Sequence, residues 1–170
     1  MPDSIRFAQK DDLPRIVEIY NQSVPSRVAT ADLEPVSLES RQAWWQAHDQ
    51  THRPIWVCER KVSGEKTVIG WASLSSFYGR PAYNATAEVS LYIADGFQGQ
   101  GLGSALMQHV IESCPKLGVS TLVGFVFAHN EASRKMNQKF GFEVWGRLPE
   151  VANLDGKLAD LVIVGRKIEV

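Results

Sequence analysis

The chain has 170 residues, of which 44% are apolar and 22% are charged. This composition is typical of one soluble globular domain, and two domains of this combined length would each lack a good core. Lys and Arg total 18 and Asp and Glu total 19, which leaves a net charge of -1 and no broad basic face for DNA or RNA. We therefore expect one domain over residues 1–170 and no nucleic-acid partner.

The sequence shows neither a membrane segment nor a disulfide framework. No apolar run approaches the roughly 20 residues that a spanning helix needs, and residues 1–6 lack the apolar stretch of a secretory signal. Cys58 and Cys114 are too few for a secreted domain that depends on disulfides. We expect a cytoplasmic protein without membrane contact.

A metal site is not indicated either. His48 and His52 have the i, i+4 spacing that could place two ligands on one helix face. The pair adjoins Thr51 and Pro54, however, where a helix should end. We expect no bound metal.

The first third of the sequence predicts one strand and two helices. Ile5–Ala8 has a strand pattern, and Asp11 or Asp12 can cap the helix that follows it. Between 21 and 35 the apolar period is lost, and such long connections often border a functional site. A second helix is predicted from Ser37 to Ala47.

The middle third predicts three strands. Ile55–Arg60 and Thr67–Ser76 are rich in β-branched and aromatic residues, and Gly64 in the short connection predicts an antiparallel hairpin. The third strand, Thr86–Ala94, alternates between two faces. One face carries Glu88, Ser90 and Tyr92, and the other carries Val89, Leu91 and Ile93.

The last third alternates helices and strands. Thr121–Phe127 is almost wholly apolar, which is typical of a strand buried on both faces. Asn130 can cap the next helix, and Gly141 can end it. The whole order predicts an α/β sandwich around a mixed sheet. The other predicted elements are a helix from Gly101 or Gly103 to Cys114, a helix at Glu131–Phe140, and strands at Phe142–Leu148 and Leu158–Ile168.

The most specific local feature is a glycine-rich run between a predicted strand and a predicted helix. Three alternating glycines let backbone amides turn inward, and the helix N-terminus adds partial positive charge. Such a loop suits a pyrophosphate better than a turn without a ligand. The run is Gln98-Gly99-Gln100-Gly101-Leu102-Gly103-Ser104.

Two common phosphate-binding loops do not match this run. A nucleoside-triphosphate loop ends in Gly-Lys-Ser or Gly-Lys-Thr, and the run has no lysine. A dinucleotide fold needs a third glycine where Ser104 stands, a place near the first strand and an acidic residue about 20 positions later. All three requirements fail here.

At this loop the chain resembles the GCN5-related N-acetyltransferase (GNAT) family. The family pattern reads here as Gln98-x-x-Gly101-x-Gly103, and 130–133 (NEAS) with 141–142 (GF) matches the family's second cofactor-contacting segment. From Ile5 to Ile168 the chain is similar to the phosphinothricin acetyltransferase branch, which includes methionine sulfone and sulfoximine acetyltransferases. The similar segments are Tyr20-Asn21, Glu34-Pro35-Val36, Arg41-Gln42-Ala43-Trp44, Gly70-Trp71-Ala72 and Arg80-Pro81-Ala82-Tyr83.

The resemblance implies a fold, a cosubstrate and an assembly. The fold is a single-domain α/β (α+β) GNAT fold, with a mixed, mostly antiparallel sheet that is splayed in the middle and flanked by helices on both faces. The cosubstrate is acetyl-CoA, whose pantetheine would pair like an added strand with the backbone of Leu91, Tyr92 and Ile93. Gln98 to Ser104 would hold the pyrophosphate, and Asn130 would bond the pantetheine arm. The active unit would be a homodimer.

Acetyl transfer to an amine needs a base, because the ammonium form that dominates at pH 7 has no lone pair. Glu88 matches the position of the proposed base in this branch and would act directly or through one water. A solvated glutamate, or one that only binds the ammonium, is the alternative. Many relatives place an acidic Tyr where this chain has Asn137, so the general acid is left unassigned.

The acceptor side is less sharply defined. Phe77, Arg80, Tyr83 and Thr86 precede Glu88, and Arg80 could grip a carboxylate bidentately, which favours an amino-acid-like substrate. A surface charge beside a turn explains Arg80 equally well. Residues 28–31 (VATA) stand where the branch has a substrate-covering loop, and they are smaller than in many relatives.

The leading hypothesis is acetyl transfer from acetyl-CoA to the α-amine of a small amino acid or an analogue such as phosphinothricin or methionine sulfone. A CoA-binding sensor without turnover is one alternative, which Asn137 favours and Glu88 opposes. An acetyltransferase of peptide or protein amines is another, which Arg80 aimed at a carboxylate would oppose.

Overall fold

The computed structural model describes residues 3–169, which contain seven strands. They are β1 (Ser4–Phe7), β2 (Ile55–Val62), β3 (Glu65–Ser76), β4 (Thr86–Ile93), β5 (Thr121–Phe127), β6 (Glu143–Leu154) and β7 (Lys157–Lys167). They form one sheet in the order β1-β2-β3-β4-β5-β7-β6. Only the β4–β5 pair is parallel, so the prediction of a mixed, mostly antiparallel sheet is confirmed.

Helices cover both faces of this sheet. They are α1 (Leu13–Ser23), α2 (Gln42–Gln46), α3 (Leu102–Ser113) and α4 (Glu131–Lys139), and shorter 3-10 turns lie at Lys10–Asp12, Val24–Ser26, Glu39–Arg41, Pro81–Tyr83 and Cys114–Leu117. Side chains of α1 and α2 pack with Trp71 on one face, and those of α3 and α4 pack with Ala72 and Leu74 on the other. Because consecutive strand residues point to opposite faces, β3 supplies both cores. Within residues 3–169, no helix is long and apolar enough to cross a bilayer.

Two predictions about the first helices are wrong in detail. The Asp12 carboxylate does not cap α1, because it accepts hydrogen bonds from Arg6 (2.8 and 3.0 Å) and from the Gln9 N–H (2.7 Å). The helix predicted from Ser37 to Ala47 is also shorter. It begins as the 3-10 turn Glu39–Arg41, and regular α-helix covers only Gln42–Gln46.

The strand predicted at Phe142–Leu148 is too short. Strand β6 continues to Leu154, with register shifts at Val144/Gly146 and at Leu148/Ala152. Bulges disturb the two-residue alternation that identifies a strand in a sequence. Pro149 lies in the second bulge, where no ladder hydrogen bond is required of it.

The splay expected in the middle of the sheet is confirmed. Strand β4 pairs with β5 only from Thr86/Thr121 to Glu88/Val123. Beyond that point β4 continues along β3 as far as Ile93, while β5 continues along β7 as far as Phe127. The two strands therefore separate immediately after Glu88.

Candidate active site

The gap between β4 and β5 opens into a cavity of about 410 Å³. Its walls come from 88–92 on β4, 124–127 on β5, one side of α4, and 28–31 in the connection after α1. In the described part of the chain, no strand pairs with the edge of β4 that faces this gap after Glu88. Backbone N–H and C=O groups at such an edge can bind an extended ligand as an added strand.

The side chains of β4 alternate as predicted. Leu91 and Ile93 pack into the core beneath α3. Tyr92 points to the opposite face, with its ring centroid 5.0 Å from Trp71 and 5.1 Å from Tyr20. The side chains on both faces of β4 are thus packed against the protein, and the backbone groups at its gap-facing edge can bond a ligand.

Glu88 lies where β4 and β5 diverge. It is directly opposite Ser75 of β3 and Val123 of β5, and it lines the cavity. Burial raises the pKa of Glu88 above its ordinary value because a charged carboxylate is poorly solvated there. No described residue within 3–169 donates a hydrogen bond to that carboxylate. The carboxylate oxygens of Glu88 are therefore available to accept a proton from a ligand.

The glycine-rich run contains two kinds of glycine. Gly99 and Gly101 have φ angles of +74° and +82°, and a Cβ on either would meet nothing within 4 Å. Gly101 is also the N-cap residue of α3. Backbone conformation requires glycine at both positions, and the open space beside them leaves room for a ligand.

Gly103 serves packing instead. A Cβ at this position would lie 3.3 Å from the Met136 sulfur and 3.7 Å from Leu91. The missing side chain therefore lets α3 approach α4 and β4 closely. Its neighbour Leu102 is a buried core residue.

The polar side chains of the run brace the loop. Gln98 donates to the Asp95 carboxylate (3.3 Å), and Gln100 accepts from Arg60 (2.7 Å). Ser104 accepts from Lys139 of α4 (3.3 Å). These bonds hold the loop in place, so the backbone amides rather than the side chains are free to meet a ligand.

Asn130 ties a loop over the cavity. Its side-chain oxygen accepts from the Ser133 N–H (3.1 Å), which confirms the predicted helix cap, and its NH₂ donates to the Val28 carbonyl (3.3 Å). Next to it, His129 bonds the Arg27 carbonyl (2.9 Å), and Arg27 pairs with Asp155 (2.7 Å).

A second set of contacts holds the other side of this covering loop, and sequence reasoning missed it. The Tyr20 hydroxyl bonds Thr30 and donates to Asp32, while the Arg41 guanidinium lies 4.5 Å from the Tyr20 ring centroid. Tyr92 donates to the Ala29 carbonyl (3.3 Å). The sequence suggests only an apolar helix face for Tyr20, and no spacing rule links it to residues ten or twelve positions later.

The predicted acceptor residues of the β3–β4 connection and the start of β4 do not line the cavity. Phe77 and Tyr83 meet edge to face at 5.5 Å in the β3–β4 connection, and Thr86 begins β4. Arg80 is exposed and has no ion-pair partner among residues 3–169. The group forms an aromatic surface with a free guanidinium at the Glu88 end of β4.

Asn137 lines the cavity from α4 and is buried. An amide cannot act as an acid at neutral pH. Within residues 3–169, no cluster of three or more His, Cys, Asp or Glu side chains is arranged to hold a metal.

The comparisons with known proteins agree with this geometry. A Bacillus subtilis protein provisionally named as a phosphinothricin acetyltransferase (YwnH) is 44% identical over 97% of this chain and 99% of its own length. The L-methionine sulfoximine/L-methionine sulfone acetyltransferase of Pseudomonas paraeruginosa is 35% identical over 96% of this chain and 94% of its own length.

One similar solved structure contains a bound cosubstrate. The phosphinothricin acetyltransferase of Sinorhizobium meliloti in complex with AcCoA aligns with a TM-score of 0.89 and 27% identity, over 99% of this chain and 89% of that chain. The model of the acetyltransferase (GNAT) family matches residues 13–142, a span that includes the splayed strands, the glycine-rich run and the Asn130 cap. The chain therefore belongs to the GNAT family of acetyltransferases, as the resemblance at its glycine-rich run predicted.

Proposed function

We propose that this enzyme transfers an acetyl group from acetyl-CoA to the α-amine of a small amino acid or an analogue such as phosphinothricin or methionine sulfone, with Glu88 as general base. The observation that carries the proposal is the position of Glu88. Its half-buried carboxylate, with no bonded donor in the described chain, lies where β4 leaves β5 and the cavity opens. The named activities of the two sequence relatives support this choice of acceptor.

The residues present fit acetyl-CoA. The unpaired edge of Leu91–Ile93 can bond the pantetheine amides, and the amides of Gln98–Ser104, with open space beside Gly99 and Gly101, can hold the pyrophosphate. The Asn130 amide already bonds Val28, so a bond to the pantetheine arm would share that group. When bound, the cosubstrate supplies an activated acetyl group as a thioester.

Glu88 would take a proton from the acceptor ammonium and leave an amine with a lone pair. Burial favours this role, because it raises the pKa of the carboxyl towards neutrality, and a base is most effective when its pKa lies near the working pH. Asn137 can orient groups in the cavity by hydrogen bonding. A CoA thiolate is stable enough to leave without an acid.

Arg80 would bind the carboxylate of the amino-acid acceptor. It is exposed without an ion-pair partner in the described chain, and its planar guanidinium can bond both carboxylate oxygens. Phe77, Tyr83 and Thr86 would flank the acceptor side chain. The covering loop at 28–31 would close the other side.

The proposed setting is a cytoplasmic homodimer. Cys58 and Cys114 are buried free thiols whose pKa burial raises to about 11, which suits a reducing compartment. The hairpin of β6 and β7 forms one edge of the sheet and exposes a cluster of large apolar side chains, of the kind that marks a protein interface. They are Val144, Trp145, Leu148, Val151 and Leu158.

A panel of free amino acids, phosphinothricin, methionine sulfone and short peptides tests the acceptor class, with thiol release from acetyl-CoA as the readout. We expect turnover with the small amino acids and their analogues, because Arg80 and Glu88 suit a carboxylate and an ammonium on one carbon. Turnover with peptides alone would point to the peptide acetyltransferase instead. Tight CoA binding with no turnover would point to the sensor.

Replacing Glu88 with Gln should lower kcat by about 10²-fold or more at neutral pH and leave acetyl-CoA affinity nearly unchanged. The same variant should melt at a higher temperature than the wild type at pH 7, because it removes a partly buried charge. Since the pKa of folded Glu88 is raised, that stability difference should shrink as the pH falls and the wild-type carboxyl becomes protonated. Wild-type turnover in this variant would rule out the general base.

Replacing Gly101 with Val should abolish acetyl-CoA binding in calorimetry, because a branched side chain would enter the open space at a φ of +82°. Gly118→Val is the matched control. Gly118 also has a positive φ, +70°, with nothing within 4 Å of its Cβ position, but it lies at the far end of α3. The control should lose stability yet keep its affinity, and unchanged affinity in Gly101→Val would contradict the pyrophosphate site.

Placing lysines at Val144 and Leu158 together should convert the dimer to a monomer, measured by light scattering after size exclusion. These side chains are 59% and 52% exposed, so the substitutions leave the core intact while charging the apolar edge. Leu38→Lys, at a residue that is 41% exposed elsewhere, is the control. A wild-type monomer, or a double variant that stays dimeric, would refute this interface.

A further inference from the structure

A strip of polar side chains crosses the otherwise aromatic sheet face beneath α1 and α2. Ser73 and Ser75 of β3 lie directly opposite Ser90 and Glu88 of β4, and residues opposite each other in a ladder point to the same face. Ser73 is 1% exposed, and its hydroxyl has no hydrogen-bond partner among the described residues. Trp71 and Tyr92 continue the same two strands on this face. Glu88 and Ser90 border the cavity, and Ser75 lies beside the proposed base on the β3 side, away from the gap.

His48 contacts this strip at Ser75, the residue directly opposite the proposed base. One ring nitrogen, Nδ1, lies 2.6 Å from the Trp44 carbonyl oxygen, and the other, Nε2, lies 3.2 Å from the Ser75 hydroxyl. A carbonyl oxygen can only accept, so Nδ1 carries the hydrogen. Nε2 then has a lone pair, and the Ser75 hydroxyl donates to it.

Ser75 connects the histidine to the base. Side chains directly opposite in an antiparallel ladder have Cβ atoms about 4.5–5.5 Å apart, which is within reach of a carboxyl group and a hydroxyl. The Ser75 oxygen has lone pairs that remain free while its hydrogen points to His48. It can therefore accept from a protonated Glu88 and donate to His48 at the same time.

The proposed reaction requires a route of this kind. An acceptor that arrives as an ammonium loses two hydrogens: one ends on the thiol of CoA, and the other must leave as a proton in every turnover. A bound pantetheine would occupy the gap on one side of Glu88. The Ser75 side is the other approach, and His48 is partly exposed.

We propose that Ser75 and His48 carry this proton from Glu88 to solvent. Glu88 takes it from the ammonium nitrogen. Protonated Glu88 then gives a proton to the Ser75 oxygen as the Ser75 hydroxyl hydrogen passes to His48 Nε2, which restores the carboxylate and the hydroxyl. The imidazolium keeps its Nδ1–H bond to Trp44 and releases the added proton from Nε2 to water.

The surroundings of His48 keep its imidazole neutral, so that Nε2 can accept a proton. Burial lowers the pKa of His48, and the backbone carbonyl of Trp44, the charge of Asp49 and the backbone of Leu74 oppose that shift without reversing it. On β3 the side chain that meets His48 is the uncharged Ser75, and Glu88 on β4 is the base itself. The imidazole is therefore neutral at pH 7.

The inference rests on the proposed function, and paired variants test it. His48→Asn keeps an amide N–H for the Trp44 carbonyl but has no proton acceptor in place of Nε2. Ser75→Ala removes the hydroxyl, whereas Ser75→Thr retains it. We expect His48→Asn and Ser75→Ala each to lower kcat by about tenfold, less than the loss of the base itself, with unchanged KM for both substrates and unchanged melting temperature. Ser75→Thr should restore kcat.

His52→Asn is the control for the histidine, because His52 is exposed and lies in the same segment. Wild-type kcat in both His48→Asn and Ser75→Ala, beside a strongly impaired Glu88→Gln, would overturn the relay and leave the proposed function standing. A loss of kcat accompanied by a changed KM or a lower melting temperature would show a structural role and overturn the relay. A kcat that Ser75→Thr does not restore would overturn it as well. If the wild type transfers no acetyl group, or Glu88→Gln is fully active, the proposed function fails first and the relay with it.

Discussion

The site depends on the short length over which β4 and β5 pair. Their parallel ladder spans Thr86–Glu88 against Thr121–Val123, while each strand continues for several residues with its outer neighbour. A sheet normally satisfies every interior backbone group within itself. Here a stretch of interior edge is left unpaired, and a ligand with amide groups can complete it. Glu88 is the last residue of β4 that pairs with β5, and this position places it at the mouth of the gap and partly buries it.

Local patterns in the sequence were enough to predict the elements that surround this gap. The alternation at 86–94, the apolar run Thr121–Phe127 and the Asn130 cap all have short-range physical causes, and the structure confirms each. The glycines at 99 and 101 were likewise predictable from the sequence, because their positive φ strongly favours glycine. Gly103 shows the limit of that reasoning: its glycine is required by Met136 on another helix, and no local pattern shows that contact.

The features that the sequence did not reveal depend on distant contacts. The Tyr20–Asp32 bond ties the covering loop to α1 twelve residues earlier, and the Arg27–Asp155 pair ties it to the distant β6–β7 turn. Strand β6 was underestimated because its bulges break the alternation that marks a strand. The residues predicted to bind the acceptor precede Glu88 in the chain, yet the sequence does not show that they lie outside the cavity wall. Side-chain direction in a connection is set by packing that has no period.

The β6–β7 hairpin connects the covering loop with the exposed apolar edge of the sheet. The turn between β6 and β7 supplies Asp155 to Arg27 at the base of the covering loop, and Val151 and Ala152 from the same hairpin line the cavity. The outer surface of that hairpin also carries the exposed apolar side chains. In the proposed homodimer, a subunit docked on this surface would contact the same hairpin that supports the covering loop, so subunit contact and ligand entry would depend on one structural element.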